Sequence, residues 1–361
     1  MPVQCSASPD SVKSSLILSY FPTHLLEIGG DGEVPTVNGQ PATLFVDDTN
    51  TVVGNAFQAG QTYNGALFSS TDGTANPDDV ILGTDDNDNI WAGIEGNDTI
   101  DGGAGNDTIG FGDGDAWVAA GTGDDFVYTV PNNSGTNTIN LGAGNDNWWA
   151  PAGDSDITGA DNNTIGIGTG NDTVNTLDGD DFVYGIDGGG GINVLNLGGG
   201  TNTVFVQQGN YTITTGSGDD IIGLGTGTDT VNAGNGDNVI YMIDPTGTAD
   251  DNKDILTGSG TDFVQTGTGN DQIDADTGLN SLVGGAGADT FTFRSGAYNF
   301  LVDFAVGLDK IALDGLTFGD LSFFQGSGAG ADSTFIFVGT EAIGEVANVA
   351  VTALNSSANF V

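Results

Sequence analysis

The chain has 361 residues, of which 62 are glycine, and its 49 acidic side chains against 4 basic ones give a formal net charge of −45 at pH 7. This charge makes nucleic acid and anionic lipid poor partners, and no apolar run reaches the ~18 residues that a membrane span needs. The apolar fraction of 37% still allows a folded core, so composition alone does not predict disorder.

Residues 1–79 carry no repeat, and we predict a small N-terminal module there. Ser8-Pro9-Asp10 resembles a helix start, with apolar residues at helical spacing up to Pro22. Two β-prone runs at 42–46 and 51–57 flank a turn and predict a hairpin. This module would either cap the first turn of the following repeat or dock another subunit.

A nine-residue repeat dominates from residue 80 to residue 293. Gly102 to Gly110, GGAGNDTIG, fits the nonapeptide G-G-x-G-x-D-x-U-x, in which U is a large apolar residue. Aligned on Asp107, the repeat continues in register along this whole stretch, mostly in steps of nine residues. Each copy predicts a glycine-bent loop followed by a short strand.

The residue two positions after the aligned Asp provides an independent test of the register. It is apolar in every copy, which predicts one continuous inward row. The row consists of Ile90, Ile100, Ile109, Val118, Val127, Ile139, Trp148, Ile157, Ile165, Val174, Val183, Leu195, Val204, Ile213, Ile222, Val231, Ile240, Leu256, Val264, Ile273, Leu282 and Phe291.

Two nonapeptides, each a loop and a strand, close one turn of a coil. The repeats therefore predict an all-β parallel solenoid of about eleven turns, ~50 Å long at ~4.8 Å per turn. Residues 294–361 lose the Gly-Asp loops and change to alternating runs such as Ser333 to Val338. We expect a C-terminal β cap there.

Three insertions interrupt the nine-residue steps, after Tyr128, Tyr184 and Tyr241. They would project from one edge of the coil. Either they serve lateral packing, or loop tips simply tolerate extra residues.

Carboxylates packed at this density need a counter-ion. Two of them ~5 Å apart repel by roughly 3 kcal/mol at an effective dielectric constant of about 20. Oxygen-rich sites favour hard cations, Ca²⁺ above all. The repeated loops therefore predict several calcium ions.

The nonapeptides resemble those of the RTX (repeats-in-toxin) proteins, most clearly at 93–101, 102–110 and 284–292. The run FLVDFAVGLDKIALDGL at 300–316 is similar to the segment that follows such arrays in type I-secreted proteins. The resemblance implies a right-handed parallel β-roll with calcium between stacked loops, held by Asp carboxylates and backbone carbonyls. It also implies export by the type I secretion machinery without a cleaved N-terminal signal, and an extracellular or cell-surface location.

Twelve aspartates are the predicted metal ligands: Asp88, Asp98, Asp107, Asp125, Asp146, Asp172, Asp181, Asp220, Asp229, Asp262, Asp271 and Asp289. Strong loops should stack one turn apart at 88/107, 107/125 and 271/289, where we expect calcium first. Asn replaces Asp at 137, 163, 193, 202, 238 and 280, and Tyr replaces it at 211. We therefore expect weaker binding from about 130 to 215, with Asn and Thr hydrogen bonds in place of ions.

Catalytic patterns are missing from the sequence. His24 is the single histidine, Cys5 is the single cysteine, and no H-E-x-x-H motif occurs. We predict a non-enzymatic protein that self-assembles into a homopolymer at the bacterial surface: a filament, sheath or surface-layer subunit. The alternative is a calcium-dependent adhesin or module that binds cell-surface polysaccharide, with Trp91, Trp117 and Trp149 pointing outward and Trp148 in the core. A polysaccharide-modifying enzyme is the third option.

Overall fold

The computed structural model describes residues 80–361 except 85–86, 93–94, 187–188 and 244–250, together with residues 36–37 and 40–41. These last form two short antiparallel strands, β1 (Thr36–Val37) and β2 (Gln40–Pro41). The predicted helix and hairpin of the N-terminal module, with Cys5 and His24, lie outside the described residues. The chain forms two compact units, residues 1–142 and residues 143–361.

Among the described residues of the first unit there are seven further strands, and the last of them ends one residue past the unit boundary. They are β3 (Val80–Thr84), β4 (Asn89–Trp91), β5 (Thr99–Gly103), β6 (Thr108–Phe111), β7 (Trp117–Thr122), β8 (Phe126–Thr129) and β9 (Thr136–Ala143).

The second unit contains the remaining strands. They are β10 (Asn147–Ala152), β11 (Asp154–Gly159), β12 (Thr164–Thr169), β13 (Thr173–Thr176), β14 (Phe182–Gly185), β15 (Gly189–Asn196), β16 (Thr203–Phe205), β17 (Gln208–Thr214), β18 (Ile221–Leu224), β19 (Asp229–Asn232), β20 (Val239–Met242), β21 (Lys253–Leu256), β22 (Ser259–Gly260), β23 (Phe263–Gln265), β24 (Gln272–Asp274), β25 (Thr277–Val283), β26 (Thr290–Phe293), β27 (Ala297–Leu301), β28 (Lys310–Leu313), β29 (Leu321–Gln325), β30 (Thr334–Val338) and β31 (Glu341–Val346).

Each unit is a coil in which successive strands lie in opposite sheets, except that the two-residue β22 lies in the same sheet as β23. In the first unit β4 pairs with β6 and β6 with β8, all parallel, while β3 pairs with β5 and β5 with β7. The second unit repeats this pattern from β10 to β28, for example β18 with β20 and β19 with β21. Together the units comprise about twelve turns, and 55% of the part of the chain that the structure describes is strand, so the predicted all-β parallel solenoid is confirmed.

The inward row forms the core of both units. Of the predicted residues, all except Leu256 are buried, and Ile109, Val127, Val204 and Leu282 are fully so. Burying each of these side chains contributes about 1.5–3 kcal/mol. Because each strand is only a few residues long, this stabilisation accrues by stacking turn upon turn.

Leu256 was predicted to point inward, and this is wrong. It is 37% exposed, while Ile255 is 1% exposed and lies in the core. The strand pairing joins Asp229 to Lys253 and Val231 to Ile255, so the register position at this turn is Lys253 and not Asp254. The acidic Asp254 beside Lys253 resembles the aspartate of the repeat, and the insertion before it leaves the sequence register open by one residue.

The coil continues beyond Phe293 before it is capped. β27 and β28 extend the two sheets in parallel, after which β29, β30 and β31 form an antiparallel meander joined to β27. A single helical turn, α1 (Val351–Leu354), follows. The rings of Phe318, Phe323 and Phe360 pack with centroids 5.1–5.8 Å apart, which gives this end of the coil a small apolar core of its own.

Within the described part of the chain, no helix has the length and apolar character needed to cross a membrane.

Candidate calcium-binding loops

The residue just before each core strand takes part in a ladder of side-chain hydrogen bonds between turns. The Oδ1 atom of Asp107 accepts the backbone N–H of Asp88 at 2.8 Å, and the Oδ1 atom of Asp125 accepts that of Asp107 at 2.8 Å. In the second unit, Asp289 accepts from Asp271 at 3.0 Å. We call this the inner ladder. It confirms that the loops predicted to stack at 88/107, 107/125 and 271/289 do so.

All twelve predicted aspartates are buried, none more than 5% exposed. They are Asp88, Asp98, Asp107, Asp125, Asp146, Asp172, Asp181, Asp220, Asp229, Asp262, Asp271 and Asp289. Charged carboxylates are rarely buried without a compensating partner. The structure thus places them where a cation would matter most, while their role as ligands stays a prediction.

An outer ladder runs beside the inner one and points the opposite way. The Oδ1 atom of Asn87 accepts the N–H of Asn106 at 2.8 Å, and the Oδ1 atom of Asn106 accepts that of Asp124 at 3.0 Å. These side chains are exposed and already satisfied by the next turn. The outer ladder therefore fixes the loop spacing, and the carboxylates of the inner ladder remain for other partners.

Burial raises the pKa of several inner-ladder carboxyls far above their ordinary range. The pKa of Asp107 rises to about 7, chiefly because the group is desolvated; the Asp88 N–H lowers it, and the Asp125 and Asp88 charges raise it further. Burial likewise raises the pKa of Asp289 to about 7, with contributions from Asp271 and Asp309. Among the described residues, neither Oδ2 atom has a hydrogen-bond partner.

Glycine leaves room beside these two oxygen atoms. A Cβ at Gly102 would lie 2.6 Å from Asp107 Oδ2 and 2.4 Å from the carbonyl oxygen of Ala120, and one at Gly284 would lie 2.6 Å from Asp289 Oδ2. The first glycine of the nonapeptide thus keeps a buried carboxylate oxygen and a backbone carbonyl facing shared space. This donor set of hard oxygens fits Ca²⁺.

Threonine replaces that glycine in several loops of the second unit and changes the chemistry. The hydroxyl of Thr257 donates to Asp262 Oδ2 at 2.8 Å. The hydroxyls of Thr215 and Thr266, at the same position of their loops, donate instead to the carbonyl oxygens of Ala233 at 3.1 Å and Gly284 at 2.7 Å. In the loop of Asp262, therefore, a hydroxyl proton partly satisfies the carboxylate that calcium would otherwise neutralise.

Along one edge of the second unit, the inner ladder alternates strictly between amide and carboxylate. The sequence of positions is Asn163, Asp181, Asn202, Asp220, Asn238, Asp262 and Asn280. Consecutive carboxylates on this edge are therefore separated by a neutral level, which weakens their mutual repulsion.

The amide of Asn238 shows what the substitution does locally. Its Oδ1 atom keeps the ladder bond to the N–H of Asp220 at 3.0 Å, and its Nδ2 atom donates to the carbonyls of Gly236 and Thr257 at 3.1 Å each. The amide thus satisfies loop carbonyls that otherwise face a cation. Asn substitution was expected to weaken binding from about 130 to 215, but the alternation extends to residue 280.

Two inner-ladder residues were missed by the sequence analysis. Asp309 accepts the N–H of Asp289 at 3.0 Å, and its signal was present as Asp309-x-Ile311, the same Asp-x-apolar spacing as in the repeats. Lys253 occupies a ladder position with a basic side chain, and no search for acidic residues would have found it.

Side chains alone do not complete a metal site in the described part of the chain, since no three Asp, Glu, His or Cys side chains converge there. An ion between stacked loops would therefore take its remaining ligands from backbone carbonyls, as the arrangement at Gly102 and Ala120 permits.

A parallel solenoid that stacks buried carboxylates against glycine-bent loops is a cation-binding β-roll. A family model that describes four copies of the RTX calcium-binding nonapeptide repeat matches this chain at residues 78–109, 95–118, 157–185, 186–213, 212–240 and 256–291. This chain is an RTX calcium-binding β-roll protein, and its many repeats bind multiple Ca²⁺ ions. A search of curated proteins found no match to it.

Proposed function

We propose that this protein is a secreted, calcium-binding structural protein that self-assembles at the bacterial cell surface as a filament, sheath or surface-layer subunit. Proteins with RTX repeats are typically secreted and extracellular, which supports the location. Calcium would neutralise the buried carboxylates and screen the charge of −45. Where calcium is scarce, the same charge would keep the chain loose enough for export by the type I secretion machinery.

The observation that carries self-assembly is a row of exposed apolar side chains on the outer face of the second unit. Phe182, Ile221 and Val239 are 37–39% exposed and lie at equivalent outward positions of one sheet, with Thr203 at the same position of the strand between Phe182 and Ile221. We call these three residues the apolar row. On a strongly acidic chain, such a strip, apolar apart from Thr203, suits a second copy of the chain.

Aromatic rings flank the apolar row and extend it. Tyr184 stacks on Phe182 with centroids 5.4 Å apart, and Phe205 lies 6.0 Å from Phe182 and 6.4 Å from Tyr241. Tyrosine is favoured at interfaces because it combines apolar area with a polar tip. The strip therefore has the composition of a contact surface.

Electron microscopy and light scattering of the full chain, in millimolar calcium and in chelator, test the assembly. We expect polymers only with calcium. The triple variant Phe182→Asn, Ile221→Asn, Val239→Asn should stay monomeric in calcium because it loses the apolar row. Control substitutions at exposed positions of the opposite sheet, Thr212→Asn and Thr230→Asn, should assemble normally. A wild-type chain that stays monomeric in calcium would refute self-assembly.

Glycan binding is the second candidate function, because the stacked pair of Phe182 and Tyr184 would also suit a sugar ring. Trp117 is 36% exposed and Trp91 and Trp149 are partly exposed, as predicted, whereas Trp148 lies in the core. A calcium-dependent retardation in gels containing cell-surface polysaccharide, lost in Tyr184→Ala, with no polymer formed, would favour this function. Neither candidate is enzymatic.

A further inference from the structure

Lys253 stands in the inner ladder where its neighbours carry carboxylates. It begins β21 and pairs with Asp229, and its backbone N–H donates to Asp271 Oδ1 at 2.7 Å, so the ladder continues through it. Its side chain is fully buried. A buried lysine is rare unless its charge is paired.

The ammonium group lies among the oxygen atoms of a repeat loop. Its Nζ atom is 3.0 Å from Asp229 Oδ2 and 3.8 Å from Asp251 Oδ1, and it donates to the carbonyl oxygen of Gly227. Gly227 belongs to the same loop as Asp229 and has a positive φ of 130°. The ammonium thus contacts one inner-ladder carboxylate and one loop carbonyl. The same two kinds of oxygen face shared space at Asp107, where they are Asp107 Oδ2 and the carbonyl oxygen of Ala120.

Asp229 is also isolated from other carboxylates of its column. On the side away from Lys253 its Oδ1 atom accepts the N–H of Tyr211 at 3.0 Å. Tyr211 is buried, and its hydroxyl donates to the carbonyl of Gln208 at 3.2 Å. The inner-ladder residues at three consecutive levels of this column are therefore Tyr211, Asp229 and Lys253, so the ammonium pairs with the one inner-ladder carboxylate among them, and it also faces the buried carboxylate of Asp251.

We propose that the ammonium of Lys253 is a tethered cation that takes the place of calcium in the loop of Gly227 and Asp229. Asp229 is then an ion-pair partner and not a calcium ligand, which revises its predicted role. The charge of Asp229 stays paired when calcium is withdrawn, because its cation is covalently attached. The proposal rests on calcium binding by the other loops and is independent of self-assembly.

Counting bound calcium on the full chain by equilibrium dialysis tests the proposal. Asp229→Asn keeps the ladder acceptor and should bind as many ions per chain as the wild type. Asp289→Asn, the positive control, should bind one fewer. Loss of an ion in Asp229→Asn would overturn the proposal. Polymer formation is not measured, so the outcome is separate from that of the assembly experiment.

Removing the ammonium tests whether the loop of Gly227 and Asp229 binds calcium once its tethered cation is absent. Lys253→Ala removes the cation that pairs with Asp229, so the variant should bind one more calcium ion per chain than the wild type. Its melting temperature should fall below that of the wild type in chelator and recover in calcium but not in magnesium. Lys310→Ala is the control, because the Nζ atom of Lys310 donates to the carbonyl of Ala358 at 2.7 Å at an exposed site. An unchanged ion count in a folded Lys253→Ala chain would overturn the proposal, and if that variant does not fold, Asp229→Asn still decides.

Discussion

Asp107→Asn should change the stability of the protein in opposite directions with and without calcium. An Asn at this position keeps the Oδ1 acceptor for the N–H of Asp88, as Asn163 does for the N–H of Asp146 at 3.3 Å. The substitution therefore removes a charge and leaves the ladder in place. The change in stability therefore shows whether calcium neutralises the carboxylate of Asp107.

The size of the stability change without calcium follows from the pKa of Asp107, which burial raises from 3.8 to about 7. A rise of about 3 units corresponds to ~4 kcal/mol against the ionised form, and solvent screening at the loop edge reduces this to roughly 2 kcal/mol. Because the folded pKa is the higher one, the stability is fully present below pH ~4 and is lost as pH rises through about 7. Asp107→Asn avoids this loss, so at pH 8 in chelator it should melt about 4–8 °C higher.

With calcium, Asp107→Asn should instead melt at a lower temperature than the wild type. An ion at 100 times its dissociation constant stabilises the folded state by ~2.7 kcal/mol, and the variant loses part of this. The assay is thermal unfolding followed by circular dichroism at pH 5 and pH 8, in chelator and in calcium. The control is Asp115→Asn, whose exposed carboxylate accepts the N–H of Thr136 and which should change little. A variant that melts lower than the wild type under all four conditions would refute the reasoning.

Three further outcomes are expected. Without calcium, the wild-type chain should gain β structure when the pH falls from 8 to 5, because the raised pKa of Asp107 and Asp289 lets them bind protons in the folded state; circular dichroism that does not change with pH would contradict this. Gly102→Ala should cost about 1–3 kcal/mol and weaken calcium binding, since its Cβ would meet Asp107 Oδ2, whereas Gly319→Ala has space and should be neutral in the same titration. Ile222→Ala should lower the free energy of unfolding by about 2–5 kcal/mol, and a similar loss in the adjacent, exposed Ile221→Ala would count against the inward row.

The local spacing of residues was enough to predict the coil and most of its core. Where an Asp is followed two residues later by an apolar residue, the Asp lies in the inner ladder and the apolar side chain points inward, because side chains alternate along a strand. This is why Asp107 with Ile109 and Asp289 with Phe291 could be located directly. The same rule extends to Asp309 with Ile311, beyond the stretch in which it was applied.

The sequence failed where the number of residues in a turn changes. Turns of the inner ladder are usually 18 residues apart, but Asp172 meets Asn193 over 21 residues and Asn238 meets Asp262 over 24. Which residues stack depends on how each insertion is accommodated, and this is settled by pairing between turns and not by neighbours in the chain. The slip from Lys253 to Asp254 arose at such a point.

The sequence by itself therefore determined the kind of fold, the calcium and the inward apolar row, because those follow from a pattern repeated every nine residues. Only the tertiary structure decided how each carboxylate is neutralised. Asp107 faces the space beside a glycine, Asp262 accepts from the hydroxyl of Thr257, and Asp229 pairs with Lys253. Gly102 and Thr257 lie five residues before their aspartates in the same loop, whereas Lys253 lies 24 residues from Asp229, and only the stacking of turns brings those two together.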